Sequence, residues 1–419
     1  MVRTERVAVI GAGVAGLTAA YLLQRRHDVT LFEAQPRLGG HAHTHDVPTK
    51  DGGLVAVDSG FIVHNERTYP NLLRLFGELG VPTQDTEMSM SVRCDGCGLE
   101  YAGARGLPGL FAQKRNTANP RYLRMLTEVL RFHRHARRVL TCPEADEVTL
   151  ATFLAIGGYS EYFVRHFAIP VVSAVWSAGP AVSGRYPARY LFSFLANHGM
   201  LSVTGSPQWR TVAGGSRTYV DRAVKALTAV HVSTPIRAVQ RTSGGVTIHD
   251  DADQVHRADR VVIATHPDEA LALLKDPSPR ETEVLGAFRY SRNETWLHTD
   301  ETVLPRDAKA SWNYRKTACR DENGPVLVSY DMNRLMNLTG PESYVVTLNA
   351  ADRIREDRVI AKMVYEHPVY TPESVAAQQR LPELNTNTTA YAGAYHGWGF
   401  HEDGCAAGVR AAAALGVTW

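Results

Sequence analysis

The sequence predicts an α/β protein, a parallel sheet flanked by helices, and three observations predict it. Residues 7–33 run through an apolar stretch, a glycine-rich turn, a helical pattern and a second apolar stretch. Residues 230–274 read as alternating strands that close on a turn and a helix. Far downstream, "GAYHGWGFHEDGCAAG" (Gly393 to Gly408) crowds glycines and aromatics ahead of an alanine-rich helix. Composition agrees: 419 residues at 44% apolar and 21% charged exclude a disordered or fibrous chain, and hold two or three cores or one interleaved two-domain molecule. A net charge of +2 gives the whole chain no bias towards nucleic acid.

The first element is the most explicit. In "RVAVIGAGVAGLTAAYLLQRRHDVTLFEA", Val7 to Ile10 is a buried strand and Gly11-Ala-Gly13-Val-Ala-Gly16 is the turn. Leu17 to Arg25 follows as a helix, and Val29 to Phe32 as a second strand ending at Glu33. Gly11 permits the tight turn, Gly13 lets backbone N–H groups approach a pyrophosphate, and Gly16 lets helix and strand pack closely. The helix N-terminus offers partial positive charge to phosphates. Glu33 can accept from both ribose hydroxyls and would repel the extra phosphate of NADP. Together these residues specify a Rossmann-like dinucleotide site, and no second GxGxxG follows a strand later in the chain.

The continuation "EAQPRLGGHAHT" (Glu33 to Thr44) resembles the second half of the FAD fingerprint of the flavin amine oxidase superfamily. That superfamily includes amine oxidases, phytoene-type desaturases and protoporphyrinogen oxidase. The resemblance implies FAD, with Ala34 beside the ribose acid, the Gly39-Gly40 backbone beneath the ribityl and pyrophosphate groups, and Arg37 helping to hold them. His41 stands where the family places a further arginine. "VDSGFIVHN" (Val57 to Asn65) is similar to the family's acid-x-glycine strand that passes the flavin, here at Gly60 and Phe61. "WRTVAGGSRTYVDRAVKAL" (Trp209 to Leu227) resembles its Gly-Gly helix start, and the strands to Leu274 imply an adenine site near Ile236 and a turn at Ala264. At the far end, "YAG" (Tyr391 to Gly393) resembles the family's last strand, and Gly399 to Gly408 its loop and helix start. There the His401 backbone is expected at the pyrimidine edge, with a helix beginning near Gly404. The resemblance implies an FAD/NAD(P)-binding Rossmann-like domain of the amine oxidase type with an interleaved α+β substrate domain. The FAD-binding parts are expected at 1–75, 206–289 and 386–419, and the substrate parts at 76–205 and 290–385.

With one dinucleotide fingerprint, hydride transfer from substrate C–H to flavin N5 is favoured over reduction by NADPH. Phe400 falls where amine oxidases place a ring beside the substrate amine. The strand expected to carry their lysine, Ser291 to Asp300, has none, and Lys309 reads as a loop residue. Both features weaken amine oxidation and leave desaturation or isomerisation comparatively stronger. His64, His401 and Tyr314 are candidates for acid–base work, as titratable residues near stretches expected to line the site. The wording "SGFIVHNERTYPNL", "SWNYR" and "HPVYTPESVAAQ" resembles a bacterial subgroup encoded beside cyclopropane-fatty-acyl synthase-like methyltransferases. That resemblance implies an acyl-lipid substrate and a methyltransferase partner. Amine oxidase, redox-neutral isomerase and flavin-bound scaffold remain the rival readings.

Between Tyr101 and Leu140 nine basic residues stand against the single acid Glu128. A helix is expected from Asn119-Pro120, with Arg121, Arg124, Arg131 and Arg138 on one face and Leu123, Leu126, Leu130 and Phe132 as apolar positions. Such a helix suits an anionic membrane surface as well as a plain solvated face. "VRCDGCGLEY" (Val92 to Tyr101) has a CxxC but no second pair, so a hairpin turn at Asp95-Gly96 is expected and no metal site. His41, His43 and His45 alternate as a strand rather than as ligands. "EYFVRHFAIPVVSAVWSAG" (Glu161 to Gly179) reads as an apolar helix pair broken at Pro170, a candidate wall for a long pocket. Scattered cysteines and glycines inside the apolar opening argue for a cytoplasmic chain rather than a secreted one, with peripheral contact at the inner face of the membrane as the accompanying expectation.

Overall fold

A parallel five-stranded sheet organises one half of the structure, a computed structural model that describes residues 4–142, 148–203, 205–320 and 324–419. Met1 to Arg3, the start of the charged opening, lie outside these. The strands run in the order Ala229–His231, Asp28–Phe32, Arg6–Ile10, Arg260–Ile263 and Thr389–Tyr391. The central strand is apolar at every position from Val7 to Ile10 because both its faces are covered: Val7 and Val9 pack against helices, and Ala8 and Ile10 against a three-stranded antiparallel sheet, Ile236–Thr242, Gly245–Asp250 and Val255–Ala258. The helix Val14–Leu23 leaves the glycine turn and packs on the C-terminal helix, His401–Ala414.

That C-terminal helix starts three residues before the expected Gly404, with Phe400 as its cap and the Asp403 carboxylate accepting from the Phe400 N–H at 2.9 Å. The glycines mark close packing rather than a boundary. A Cβ at Gly404 would lie 2.6 Å from the Val14 side chain, and one at Gly408 only 2.4 Å from the Ala15 carbonyl oxygen.

A seven-stranded mixed sheet organises the other half, in the order Val359–Val369, Arg289–His298, Val345–Leu348, Leu327–Asp331, Trp312–Lys316, Met90–Cys94 and Leu99–Ala102. Helices drawn from residues 106–197 cover it and share its apolar core. The basic helix spans Pro120–Thr141, and the Asn119 side chain accepts from the N–H groups of Arg121 and Tyr122. Tyr122, Met125 and Phe132 are buried beneath it, whereas Leu123 and Leu130 stay exposed. Its lone acid, Glu128, is buried and accepts from the Ser160 N–H at 3.0 Å, fastening the helix to the next segment.

Two expectations need correction here. Residues 161–176 form one helical run, not a broken pair: Glu161–Phe163 passes through a wide π-turn, Val164–Ala168, into Ile169–Trp176. Pro170 donates no N–H, and the wide turn directly ahead of it absorbs the lost regular bond. The CxxC does sit on a hairpin between Met90–Cys94 and Leu99–Ala102, but the fold also brings Cys319 and His166 beside it. No helix among the described residues is long and apolar enough to cross a membrane.

Candidate active site

A continuous cavity of about 1840 Å³ runs from the C-terminal edge of the parallel sheet into the helical layer over the seven-stranded one. Gly11, Gly13, Glu33, Ala34, Arg37, Ile236 and Ala264 line its sheet end, while Gly40, His41, Gly60, Phe61, Gly393, Phe400 and His401 line its middle. Gly16 and Gly39 stand behind this lining; the Gly39 N–H donates to the Ala12 carbonyl at 2.9 Å and so braces the glycine turn.

The sheet end is built to receive an anion and a diol. The helix Val14–Leu23 has Gly13 as its cap, with no side-chain cap and no acid in its first turn. Its first amides therefore open onto the cavity. Glu33 accepts from the Ala12 and Gln35 N–H groups, each at 2.9 Å, which fixes its carboxylate at the end of the strand. Arg37 donates to the Gly40 carbonyl at 2.7 Å, fixing the shape of its own loop. Behind them Asp58 accepts from the Thr44 hydroxyl and from the Ser216 N–H and hydroxyl. Burial pushes Asp58 up to about 6, and those three donors partly offset the cost of its charge.

In the middle, backbones approach each other as closely as glycine allows. A Cβ at Gly60 would lie 2.1 Å from the His41 carbonyl oxygen, which accepts instead from the Phe61 N–H at 2.7 Å. The His41 ring lies in the wall against Tyr365 (4.9 Å between centroids) and His367 (5.6 Å). Burial first, and His367 next, hold it well below the usual histidine range, so it is neutral. Its Nε2 has no hydrogen-bond partner among the described residues. The His401 ring stacks on Phe61 at 3.7 Å and shares a 2.6 Å hydrogen bond with the Tyr219 hydroxyl. Burial pushes it down to about 3, and as a neutral packed ring it leaves only its backbone for a ligand.

Two candidate catalytic residues are not brought to the cavity. Val63 lines it, and alternation along the strand Val63–Asn65 turns His64 to the opposite side. There His64 is buried edge-on to Phe76 at 5.3 Å, and burial holds it at about 4. Tyr314 is buried in the core between sheet and helices with Val92 and Val328. Lys309 is a loop residue paired with Glu301 at 2.7 Å.

Residues that sequence reading missed come from the long strand Val359–Val369. Tyr365 bonds the Ser59 hydroxyl at 2.7 Å and His43 Nδ1 at 3.0 Å, so His43 is a packing partner rather than a metal ligand. The two-residue alternation of Met363, Tyr365 and His367 was the available signal. Beyond Phe400 the cavity turns apolar. Phe400 stacks on Phe194 at 4.8 Å, with Trp176 edge-on at 6.4 Å. Phe167, Val171 and Val175, spaced four apart on the helical run, continue this wall. It ends at a rim where Leu107, Leu130 and Val203 are 70%, 51% and 73% exposed.

Comparison with known proteins bears on this geometry. The model of the family described as flavin containing amine oxidoreductase matches residues 14–357. AofH of Mycobacterium tuberculosis, which carries the name of a flavin-containing monoamine oxidase, is 30% identical over 290 residues, 65% of this chain and 60% of that protein. Coproporphyrinogen III oxidase of Mycobacterium leprae is 25% identical over 297 residues, 65% of this chain and 62% of its own length. The chain thus spans about three fifths of these curated relatives. Among solved structures, cyclohexylamine oxidase from Brevibacterium oxydans superposes with a TM-score of 0.68 at 17% identity over 99% of both chains. A CLA-producing fatty acid isomerase from P. acnes gives 0.69 at 17% identity over 96% of this chain and 97% of its own. At such identities the structures share a fold.

Proposed function

The chain belongs to the family of flavin-containing amine oxidoreductases, and from that premise we propose that it is an FAD-dependent oxidoreductase that dehydrogenates a long acyl-lipid substrate. Features of the cleft suit the dinucleotide: the uncapped helix start, the fixed Glu33 carboxylate, the close passage of Gly60 over His41, and the unpaired Nε2 in the wall. Bound there, the flavin supplies the hydride acceptor for a substrate C–H bond. The chain's own residues bind and orient. Phe400, Phe194 and Trp176 hold an apolar chain and exclude water.

The observation that carries the lipid reading is the apolar arm from Phe400 to the rim of Leu107, Leu130 and Val203. The whole cavity exceeds the ~300–1,000 Å³ of an ordinary small-ligand pocket, leaving room for an extended second ligand beside the dinucleotide. Leu107 and Leu130 belong to the segment that also carries the exposed Arg121, Arg124, Arg134 and Arg138. Greasy rim and basic face together suit peripheral docking on anionic lipid, each charge worth ~1 kcal/mol near the surface. Amine oxidation is the second reading; the faces of Trp176 and Phe400 can take a cation, and AofH carries that name.

The test is an anaerobic flavin spectrum of the purified holoprotein. Phosphatidylglycerol vesicles with saturated, methyl-branched or unsaturated chains go into one series and small primary amines into another. Bleaching by lipid alone is expected. Bleaching by amines alone transfers the assignment to the second reading, and double-bond migration without net bleaching marks an isomerase.

A further inference from the structure

Away from the cavity, four side chains from three distant segments converge. Cys94 and Cys97 come from the hairpin, His166 from the π-turn, and Cys319 from the loop after the strand Trp312–Lys316. Their three sulfurs and one ring nitrogen all lie within 4.8 Å of one another. We propose that Cys94, Cys97, Cys319 and His166 form a tetrahedral zinc site that pins the helical wall of the cavity to the seven-stranded sheet.

The spacing suits the ion. With Zn–S near 2.3 Å and Zn–N near 2.0–2.1 Å, a tetrahedron has S···S edges of about 3.8 Å and S···N edges of about 3.6 Å. Cys94 and Cys319 sulfurs are 3.6 Å apart, as are the Cys97 sulfur and His166 Nε2. The orientation suits it as well. His166 Nδ1 lies 3.0 Å from the Tyr162 carbonyl, which can only accept, so Nδ1 carries the proton and Nε2 turns its lone pair to the sulfurs. A second bond, from the Tyr101 hydroxyl to the His166 carbonyl at 2.7 Å, holds the π-turn in place.

The hairpin is shaped to hold thiolates. The Cys97 N–H faces the Cys94 sulfur and the Leu99 N–H faces the Cys97 sulfur. Gly98, at φ +71°, closes the turn by donating to the Cys94 carbonyl at 2.8 Å. Gly96 lets the other loop cross directly above, since a Cβ there would lie 2.8 Å from the Cys319 nitrogen. Three thiolates and a neutral imidazole around a divalent ion leave one net negative charge, and the buried Lys316 lies where its charge opposes it. A Cys3His set with soft thiolate donors selects zinc over magnesium or calcium. The mechanical consequence is direct: Phe167, Val171 and Val175 follow His166 on the same helical run and face the cavity.

Metal analysis of the untagged full-length holoprotein, expressed with zinc in the medium, tests this. About one zinc per chain is expected, retained in Cys142→Ser and falling to roughly a tenth or less in Cys97→Ser and Cys319→Ser. Replacement by cobalt(II) should give intense tetrahedral d–d bands with sulfur-to-cobalt charge transfer. Substoichiometric zinc in the wild type, zinc that survives a Cys97→Ser/Cys319→Ser double substitution, or a Cys94–Cys319 disulfide found by mass spectrometry would overturn the proposal. Should the variants fail to fold, the cobalt spectrum of the wild type decides alone: absence of thiolate charge transfer sinks it.

Discussion

Glu33 and Asp403 show how single carboxylates divide their labour. Glu33 is held by two backbone N–H groups yet faces the cavity, so its free lone pairs are aimed before any ligand arrives. Glu33→Ala is expected to weaken FAD binding ~10–100-fold, the worth of one or two charge-assisted hydrogen bonds. Fluorescence titration of the flavin-free protein measures this, and an unchanged Kd would remove Glu33 from the cofactor site. Asp403 is a different case. Burial pushes it up to about 7 from an ordinary 3.8, although it caps the C-terminal helix. A carboxyl raised in the folded state contributes stability that is complete below pH ~4 and lost as pH rises through 7. Wild-type melting temperature should therefore decline across pH 4–7 relative to Asp403→Asn, which keeps an acceptor for the Phe400 N–H. Parallel curves for the two proteins would refute this.

Between elements, the decisive contacts are backbone against backbone. Gly408 brings the C-terminal helix onto the first helix closely enough that a methyl group meets the Ala15 carbonyl. Gly408→Ala is expected to cost ~1–3 kcal/mol as overpacking, lowering the melting temperature by several degrees. A melting temperature unchanged within a degree would show that the helices can slide apart freely. The same pair explains what the sequence reveals and conceals. Asn119-Pro120 announces a helix and Asp95-Gly96 a hairpin because capping and turn chemistry are local. Gly404 invites misreading because a glycine that serves packing looks like one that ends a turn. The orientation of His64 hinges on a one-residue alternation that periodicity leaves unanchored. Tyr365 and His367 reach His41 across more than three hundred residues, and Cys319 reaches Cys94 across 225; no spacing rule connects such partners.

At the scale of the molecule, the cavity's apolar rim and the basic helix share one side of the helical layer. Reversing Arg121, Arg134 and Arg138 to Glu is expected to lower binding to phosphatidylglycerol vesicles at least tenfold at low salt, on the basis of ~1 kcal/mol per charge. Flavin content should not change, since these side chains are exposed and stand outside the cavity lining. Co-sedimentation with vesicles measures the loss. Equal sedimentation of both proteins would leave the arginines as a solvated surface and return the lipid to bulk solution as its source.

The order of strands in the parallel sheet also bears on how the chain is made. Arg6–Ile10 and Asp28–Phe32 leave the ribosome first, but the neighbour on the other side of Arg6–Ile10 is Arg260–Ile263, and the edge strand is Thr389–Tyr391. For most of synthesis the innermost apolar strand therefore waits with one flank bare, a template for mispairing. The helix His401–Ala414, which packs on Val14–Leu23 and on Thr389–Tyr391, is translated after both. The nascent chain thus needs shelter until Thr389–Tyr391 and His401–Ala414 have emerged, because the dinucleotide cleft closes only when these late segments join the sheet.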